Sequence, residues 1–180
     1  MKFFIGIVPP SVTKERIFEF QSSFPSNKVP YFHEPHITLK APSGLTEDKV
    51  WLVKVATLLG DYDRFQIAFD GLDCFDDKVL FLKLTFSQEL MGLHMQLVSL
   101  LSPDTETNNK FYEGSIYHPH LTLGETTWGG MTQEELDIMR KRAEFELHNI
   151  PPFQVDFVRV FQKEKDSEPY QKLLDIPLKI

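Results

Sequence analysis

Residues 34–39 read Glu-Pro-His-Ile-Thr-Leu and residues 118–123 read His-Pro-His-Leu-Thr-Leu, in a chain of 180 residues. Four of the six positions are identical, and a fifth exchanges Ile37 for Leu121. Each stretch has the alternation of a β-strand, whose successive side chains point to opposite faces. On that spacing His36, Thr38 and Lys40 share one face, with Ile37 and Leu39 on the other. His118, His120, Thr122 and Gly124 likewise share a face opposite Leu121 and Leu123. Each motif therefore sets an apolar pair into a core and presents His and Thr together.

The segments around the motifs repeat in the same order. Phe3–Val8 is a short apolar run stopped by Pro9 and Pro10, as a buried strand would be, and 11–24 has helical spacing. The first histidine strand spans about 35–41. A helix follows over 46–60, with Thr46 as its cap, Trp51, Val55, Leu58 and Leu59 on one stripe, and Gly60 as its stop. Residues 65–70 alternate as a strand. The order then restarts with a strand over 79–86 and a helix over 87–101 closed by Pro103. A polar loop over 103–114 leads to the second histidine strand at 117–124. The next helix begins at a capping box, Thr132 to Glu135, with Met131 and Leu136 as its staple, and runs to about 148. Strands at 153–161 and 170–178 finish the chain, joined by a solvated turn over 163–169. The expected fold is a bilobal α+β duplication, with lobes over about 1–75 and 76–180. Two small antiparallel sheets surround a central cleft, with helices outside.

Composition narrows the function classes. A net charge of −7 argues against an extended nucleic-acid-binding face, which works by neutralising many phosphates. It leaves room for a small phosphate-bearing ligand held by a few local donors. The apolar run at the start is too short for a signal-peptide core or a membrane span. The single cysteine, Cys74, excludes an internal disulfide and a multi-cysteine zinc site, and fits a cytoplasmic protein.

Two histidines facing one phosphate suit in-line displacement, in which a base serves the attacking oxygen and an acid serves the leaving oxygen. An unperturbed imidazole titrates near ~6.5, so neutral and protonated copies coexist near neutrality. Threonine hydroxyls can donate to the non-bridging oxygens, where charge gathers. The paired motifs His36-Ile37-Thr38-Leu39 and His120-Leu121-Thr122-Leu123 resemble those of the two-histidine (2H) phosphoesterase superfamily, which includes 2′-5′ RNA ligase-like proteins and cyclic phosphodiesterases. The proline before each histidine resembles the small bacterial members. The resemblance spans most of the chain and implies a bilobal α+β fold. It also implies His36 and His120 as the catalytic pair, Thr38 and Thr122 as phosphate holders, and no metal or cofactor. The substrate it implies is a small nucleotide or an RNA end bearing a 2′,3′-cyclic phosphate or a 2′-5′ linkage.

Other residues carry competing readings. Lys40 is placed either to meet the phosphate or as a solvated strand end. Tyr31, Phe32, Tyr112 and Tyr117 flank the motifs and could stack on a base, or belong to the core. His118 and Glu34, each two residues before a motif histidine, are rim positions suited to orienting it. Three histidines (His36, His118, His120) could instead chelate a metal for hydrolysis, although no carboxylate stands at an obvious fourth position. A nucleotide-binding module without turnover is the remaining alternative. His94 and His148 read as structural, Lys83 and Arg159 as charges on a sheet surface, and the loop over 103–114 as either a lid or a connector.

Overall fold

A computed structural model describes residues 1–101 and 104–180; Pro103, expected to close a helix, lies outside them. The first half contains β1 (Lys2–Ile7), α1 (Ser11–Ser22), a single turn α2 (Val29–Phe32) and β2 (Ile37–Lys40). It continues with α3 (Trp51–Gly60), β3 (Phe65–Ile67) and β4 (Phe69–Phe75). The second half runs β5 (Val79–Leu84), α4 (Gln88–Leu101), α5 (Thr105–Lys110), a 3-10 turn (Gly114–Ile116) and β6 (His120–Glu125). It ends with α6 (Gln133–Glu146), β7 (Phe153–Val155), β8 (Phe157–Lys163) and β9 (Gln171–Pro177). The fold is α+β, with three small antiparallel sheets among the described residues rather than two.

The sheets do not divide where the two halves of the sequence meet. One sheet has the order β2-β1-β8-β9, the second β4-β5-β6, and β3 pairs with β7 in the third. The last strands of the second half thus complete the sheet of the first, while β4 crosses into the sheet of the second. Helices cross over too: α1 and α2 contact β6, and α4 contacts β2. Exchange of this kind makes the two halves one unit with a shared core.

Local chemistry explains most elements. The α6 capping box is formed: the Thr132 hydroxyl accepts from Glu135 N, and the Glu135 carboxylate accepts from Thr132 N at 2.8 Å. Thr46 does not cap a helix. Residues around it form a turn in which Lys49 takes φ +57°, and α3 starts only at Trp51, whose indole N–H donates to Thr46 O. The polar segment before the second motif is partly helical, because the Asp104 side chain accepts from Thr107 N and caps α5.

Both motif strands carry a β-bulge at the same place. Ile5 pairs with Lys40 and Gly6 with Thr38, which leaves Leu39 as the extra residue. Leu80 pairs with Gly124 and Phe81 with Thr122, leaving Leu123 extra. A bulge puts two successive residues against one and re-aims the next side chain. Simple alternation therefore holds up to each threonine and fails after it. Ile37, Leu39, Leu121 and Leu123 are fully buried, as the pleat requires, but Lys40 and Gly124 are buried as well. A Cβ on Gly124 would lie 2.7 Å from the sulfurs of Met131 and Met139, so this position packs into the core rather than facing a cleft.

Candidate active site

β2 and β6 are each the outermost strand of their sheet, and they lie side by side between the sheets. An edge strand offers carbonyls that no neighbouring strand bonds. Here side chains of the opposite half bond them. Gln21 Nε2 donates to Thr122 O at 2.8 Å, and Asn27 Nδ2 donates to Leu123 O at 2.9 Å. In return, Tyr117 Oη donates to Thr38 O at 2.6 Å and His94 Nδ1 donates to Leu39 O at 2.8 Å. Each half thus holds the other half's motif at the same two residues.

The histidines are set in matching ways. His36 Nδ1 lies 2.8 Å from Glu34 O, and His120 Nδ1 lies 2.8 Å from His118 O. A carbonyl only accepts, so Nδ1 carries the proton in both, leaving Nε2 as a free lone pair in the neutral ring. His36 rests against Phe4 and Phe161, with ring centroids 4.8 and 5.5 Å away, and those two rings stack on each other at 4.3 Å. His120 rests against Phe75 and Phe81, both at 5.0 Å, themselves 4.2 Å apart. A cavity of about 190 Å³ opens on the His36 side, lined by His36, Thr38 and Thr122 together with Gln21, His33 and Trp128.

This paired arrangement is accompanied by a family match: the 2′-5′ RNA ligase superfamily matches residues 8–166. The chain belongs to that superfamily. Among solved structures, apo LigT of E. coli is 16% identical with a TM-score of 0.63, over 99% of this chain and 98% of that one. TT0787 of Thermus thermophilus is 18% identical with a TM-score of 0.67, over the same shares. LigT complexed with 3′-AMP is 16% identical, with a TM-score of 0.62, again over 99% of this chain and 98% of that one. At these identities the likeness is one of fold. No curated protein sequence matches.

Burial lowers the pKa of both motif histidines and so favours their neutral forms. Burial pushes His36 down to about 4, helped by the nearby His120 charge and opposed by the Glu34 carbonyl and carboxylate. Burial also lowers His120, opposed by the hydrogen bond to the His118 carbonyl and helped by the His118 charge. His33 is pushed down to about 3 by burial, then by His36 and Lys163. An anion arriving between the rings reverses this balance, because an opposite charge favours imidazolium. Among the described residues, no three His, Cys, Asp or Glu side chains are grouped to hold a metal ion, so His36, His118 and His120 do not form a ligand set.

Two expected contacts are corrected by the geometry. Lys40 does not reach the cleft. Its ammonium is fully buried against the Glu113 carboxylate at 2.9 Å, Ser43 O at 2.7 Å and the Ser43 hydroxyl at 2.5 Å. The bulge at Leu39 turns it there. Tyr117 does not present its ring to a base. It stacks on His94 at 3.7 Å and spends its hydroxyl on Thr38 O. His94 is structural as expected, buried with Nδ1 bonded to Leu39 O and Nε2 accepting from Gly114 N at 2.9 Å. His118 is exposed, and its part in the site is its carbonyl and an edge-on contact with Phe75 and Phe81.

Residues without a sequence motif complete the site. Glu34 is held by Lys14 at 2.8 Å and by Arg159, which also makes a two-pronged bond to Asp175. Arg159 is thus part of a network behind His36 rather than a charge on a sheet surface. Trp128, about half exposed, stands edge-on to His33 at 5.4 Å. Its loop is tied by the buried Glu125 carboxylate, which accepts from the Thr127 hydroxyl and from Trp128 N and Gly129 N. Gln21 had a visible signal: a polar residue on the stripe formed by Ile17, Phe20 and Phe24.

Proposed function

We propose that the protein is a phosphoesterase that needs no metal and opens a 2′,3′-cyclic phosphate, or cleaves a related phosphodiester, on a nucleotide or an RNA end. The observation that carries this reading is the pair of histidines on adjacent edge strands. Both have Nδ1 tied to a carbonyl, and both keep Nε2 unbonded among the described residues. With phosphate bound, one neutral imidazole takes a proton from the attacking water as the new P–O bond forms. The other, protonated under the influence of the anion, gives its proton to the departing ribose oxygen as the old P–O bond breaks. The histidines end with their protonation states exchanged, and solvent resets them. Each transfer is worth roughly 10²–10⁴ in rate. Thr38 and Thr122 supply donors for the non-bridging oxygens. Attack by a ribose hydroxyl instead of water is the same chemistry, and run in reverse it makes a 2′-5′ bond.

Support for a nucleotide ligand comes from LigT, whose structures include complexes with phosphate and with 3′-AMP. The described residues contain no helix long and apolar enough to cross a membrane, and Cys74 is free; we assign the protein to the cytoplasm. The test is turnover of a panel of 2′,3′-cyclic nucleotides and short RNAs with cyclic phosphate ends by EDTA-treated protein. Hydrolysis that persists in EDTA and is lost in both His36→Ala and His120→Ala is expected. Activity that dies in EDTA and returns with zinc would point to metal hydrolysis. Tight nucleotide binding with no turnover across the panel would make the protein a binding module.

A further inference from the structure

Trp128 lines the same cavity as His36, Thr38 and Thr122, yet it is 47% exposed. Its ring neighbours are Phe32 at 5.8 Å and His33 at 5.4 Å, which stand at 74° and 84° to the indole plane. Those two rings are 6.4 Å from each other, so both lie to one side of the indole. Among the described residues no ring stacks parallel to it. A single exposed aromatic needs no explanation by itself. This one is held in place. The Glu125 carboxylate, on a residue 5% exposed, accepts from the Thr127 hydroxyl at 2.6 Å, from Trp128 N at 3.0 Å and from Gly129 N at 3.2 Å. Gly129 O accepts from Lys28 N at 2.8 Å, which ties the loop to the turn that carries Phe32 and His33. Position 129 has no room for a side chain, because a Cβ there would lie 2.5 Å from Glu125 O. The buried carboxylate and the crowded glycine together fix the backbone that presents the indole.

We propose that Trp128 is the platform on which the base of a nucleotide substrate stacks, and that it selects purine nucleotides. The inference rests on the phosphoesterase reading, which puts the phosphate at the two threonines. From there to the indole the wall of the cavity runs through His33, by ring-to-ring steps of 5.3 Å from His36 to His33 and 5.4 Å from His33 to Trp128. One nucleoside covers that span: the ribose passes His33 and the base reaches the indole. At about 190 Å³ the cavity is smaller than the ~300–1,000 Å³ of sites that enclose a whole small molecule, so the base lies at its mouth, where Trp128 is exposed. Stacking needs no charge, which suits a wall where burial favours the neutral form of His33. A loop that is already ordered loses little freedom when the base arrives. Stacking on an aromatic ring is worth about tenfold to a hundredfold in affinity for each base. A purine covers more of an indole than a pyrimidine does, and from this comes the preference.

Three substrates separate the base from the chemistry. They are 2′,3′-cyclic AMP, 2′,3′-cyclic UMP and glycerol 1,2-cyclic phosphate, which keeps the five-membered cyclic phosphate and has no base. In Trp128→Leu, kcat/KM for cyclic AMP should fall by about tenfold to a hundredfold, chiefly through KM. The fall for glycerol cyclic phosphate should be far smaller, and the preference for cyclic AMP over cyclic UMP should shrink. Trp128→Phe keeps a ring and should keep most of the preference. Equal falls on all three substrates make Trp128 a support for the fold only and overturn the platform, as does an unchanged kcat/KM for cyclic AMP. Fluorescence of the wild type tests the same point without turnover and without a variant that has to fold. Trp51 is buried, with its indole N–H bonded to Thr46 O, so quenching by a ligand at the cavity reports on Trp128. Bound 3′-AMP should quench the emission and bound inorganic phosphate should not. Turnover of cyclic AMP together with 3′-AMP that binds and does not quench overturns the platform and leaves the phosphoesterase reading standing. No turnover on any of the three, with quenching by 3′-AMP, ends the phosphoesterase reading and leaves the platform as a nucleotide-binding site.

Discussion

His36 and His120 each rest on two phenylalanines and each tie Nδ1 to the carbonyl two residues back, yet the supports behind those carbonyls differ. Behind Glu34 stand Lys14 and Arg159, and behind Arg159 stands Asp175. Behind His118 stand only the edges of Phe75 and Phe81 among the described residues, and the side chain itself is exposed. The cavity, Gln21, His33 and Trp128 all lie on the His36 side. The two motifs thus supply two similarly held imidazoles, and the surroundings make them unequal. A hydrolase needs that inequality, because its two proton transfers run in opposite directions.

The largest effects should come from breaking the pair. His36→Ala and His120→Ala should each lower turnover by about 10²–10⁴. The double variant should fall little further, because groups that act as one unit are not additive. Two independent losses that multiply would show that the rings do not share a phosphate.

Next in size is the buried ion pair that Lys40 makes with Glu113, whose side chains are 0% and 2% exposed. Lys40→Met leaves the Glu113 carboxylate buried without its cation and should cost roughly 3–5 kcal/mol in denaturant unfolding. Replacing Glu113 by Leu in the same protein should recover much of that loss. If the single substitution leaves both stability and turnover unchanged, the pair is not holding the β2 bulge.

Much of this was readable in the sequence, and the failures are instructive. The two motifs and their apolar pairs were placed correctly by alternation, since a pleat is a local rule. Lys40 failed because a bulge is set by pairing with β1, which no short window reveals, and because its carboxylate lies 73 positions away in the chain. The exchange of β4 and β8 between sheets was hidden for the same reason: strand partners are chosen by the whole core. Trp128 lies in a loop organised by Glu125, and nothing in Thr-Thr-Trp-Gly-Gly marks it as a wall of the cavity. Gln21 stood in plain view as a polar member, with Thr13, of an otherwise apolar helix stripe.

A smaller effect concerns pH. His36 and His33 titrate at about 4 and about 3 in the fold, and near ~6.5 when unfolded. Between those values the unfolded chain binds more protons than the native one, so stability rises with pH. The ligand-free protein should therefore weaken as pH falls from about 6.5 towards 4. The slope is at most about 1.4 kcal/mol per pH unit for each ring. Melting followed across this range should show it, and His33→Phe should flatten the curve. A melting temperature that rises on acidification would contradict a neutral resting site. Inorganic phosphate should bind more tightly at the lower end of the range, because the bound anion favours imidazolium.

The smallest effect bears most directly on the difference between the two histidines. Arg159→Met removes a cation from Glu34 but leaves Lys14 in place, and Asp175 keeps Lys172 at 2.6 Å. The backbone of Glu34 therefore stays near its position, and turnover should drop by about tenfold or less. The pH profile should move in a way that a general loosening would not. The Glu34 carboxylate raises the His36 pKa, and Lys14 and Arg159 both bond that carboxylate. Without Arg159, Glu34 keeps only Lys14 and holds the His36 proton more firmly, so the limb of the profile set by His36 shifts to higher pH. The limb set by His120 should stay where it is, since no carboxylate network stands behind His118 among the described residues. Movement of both limbs together would mean that the two histidines share one electrostatic environment, and the distinction drawn between them would fail.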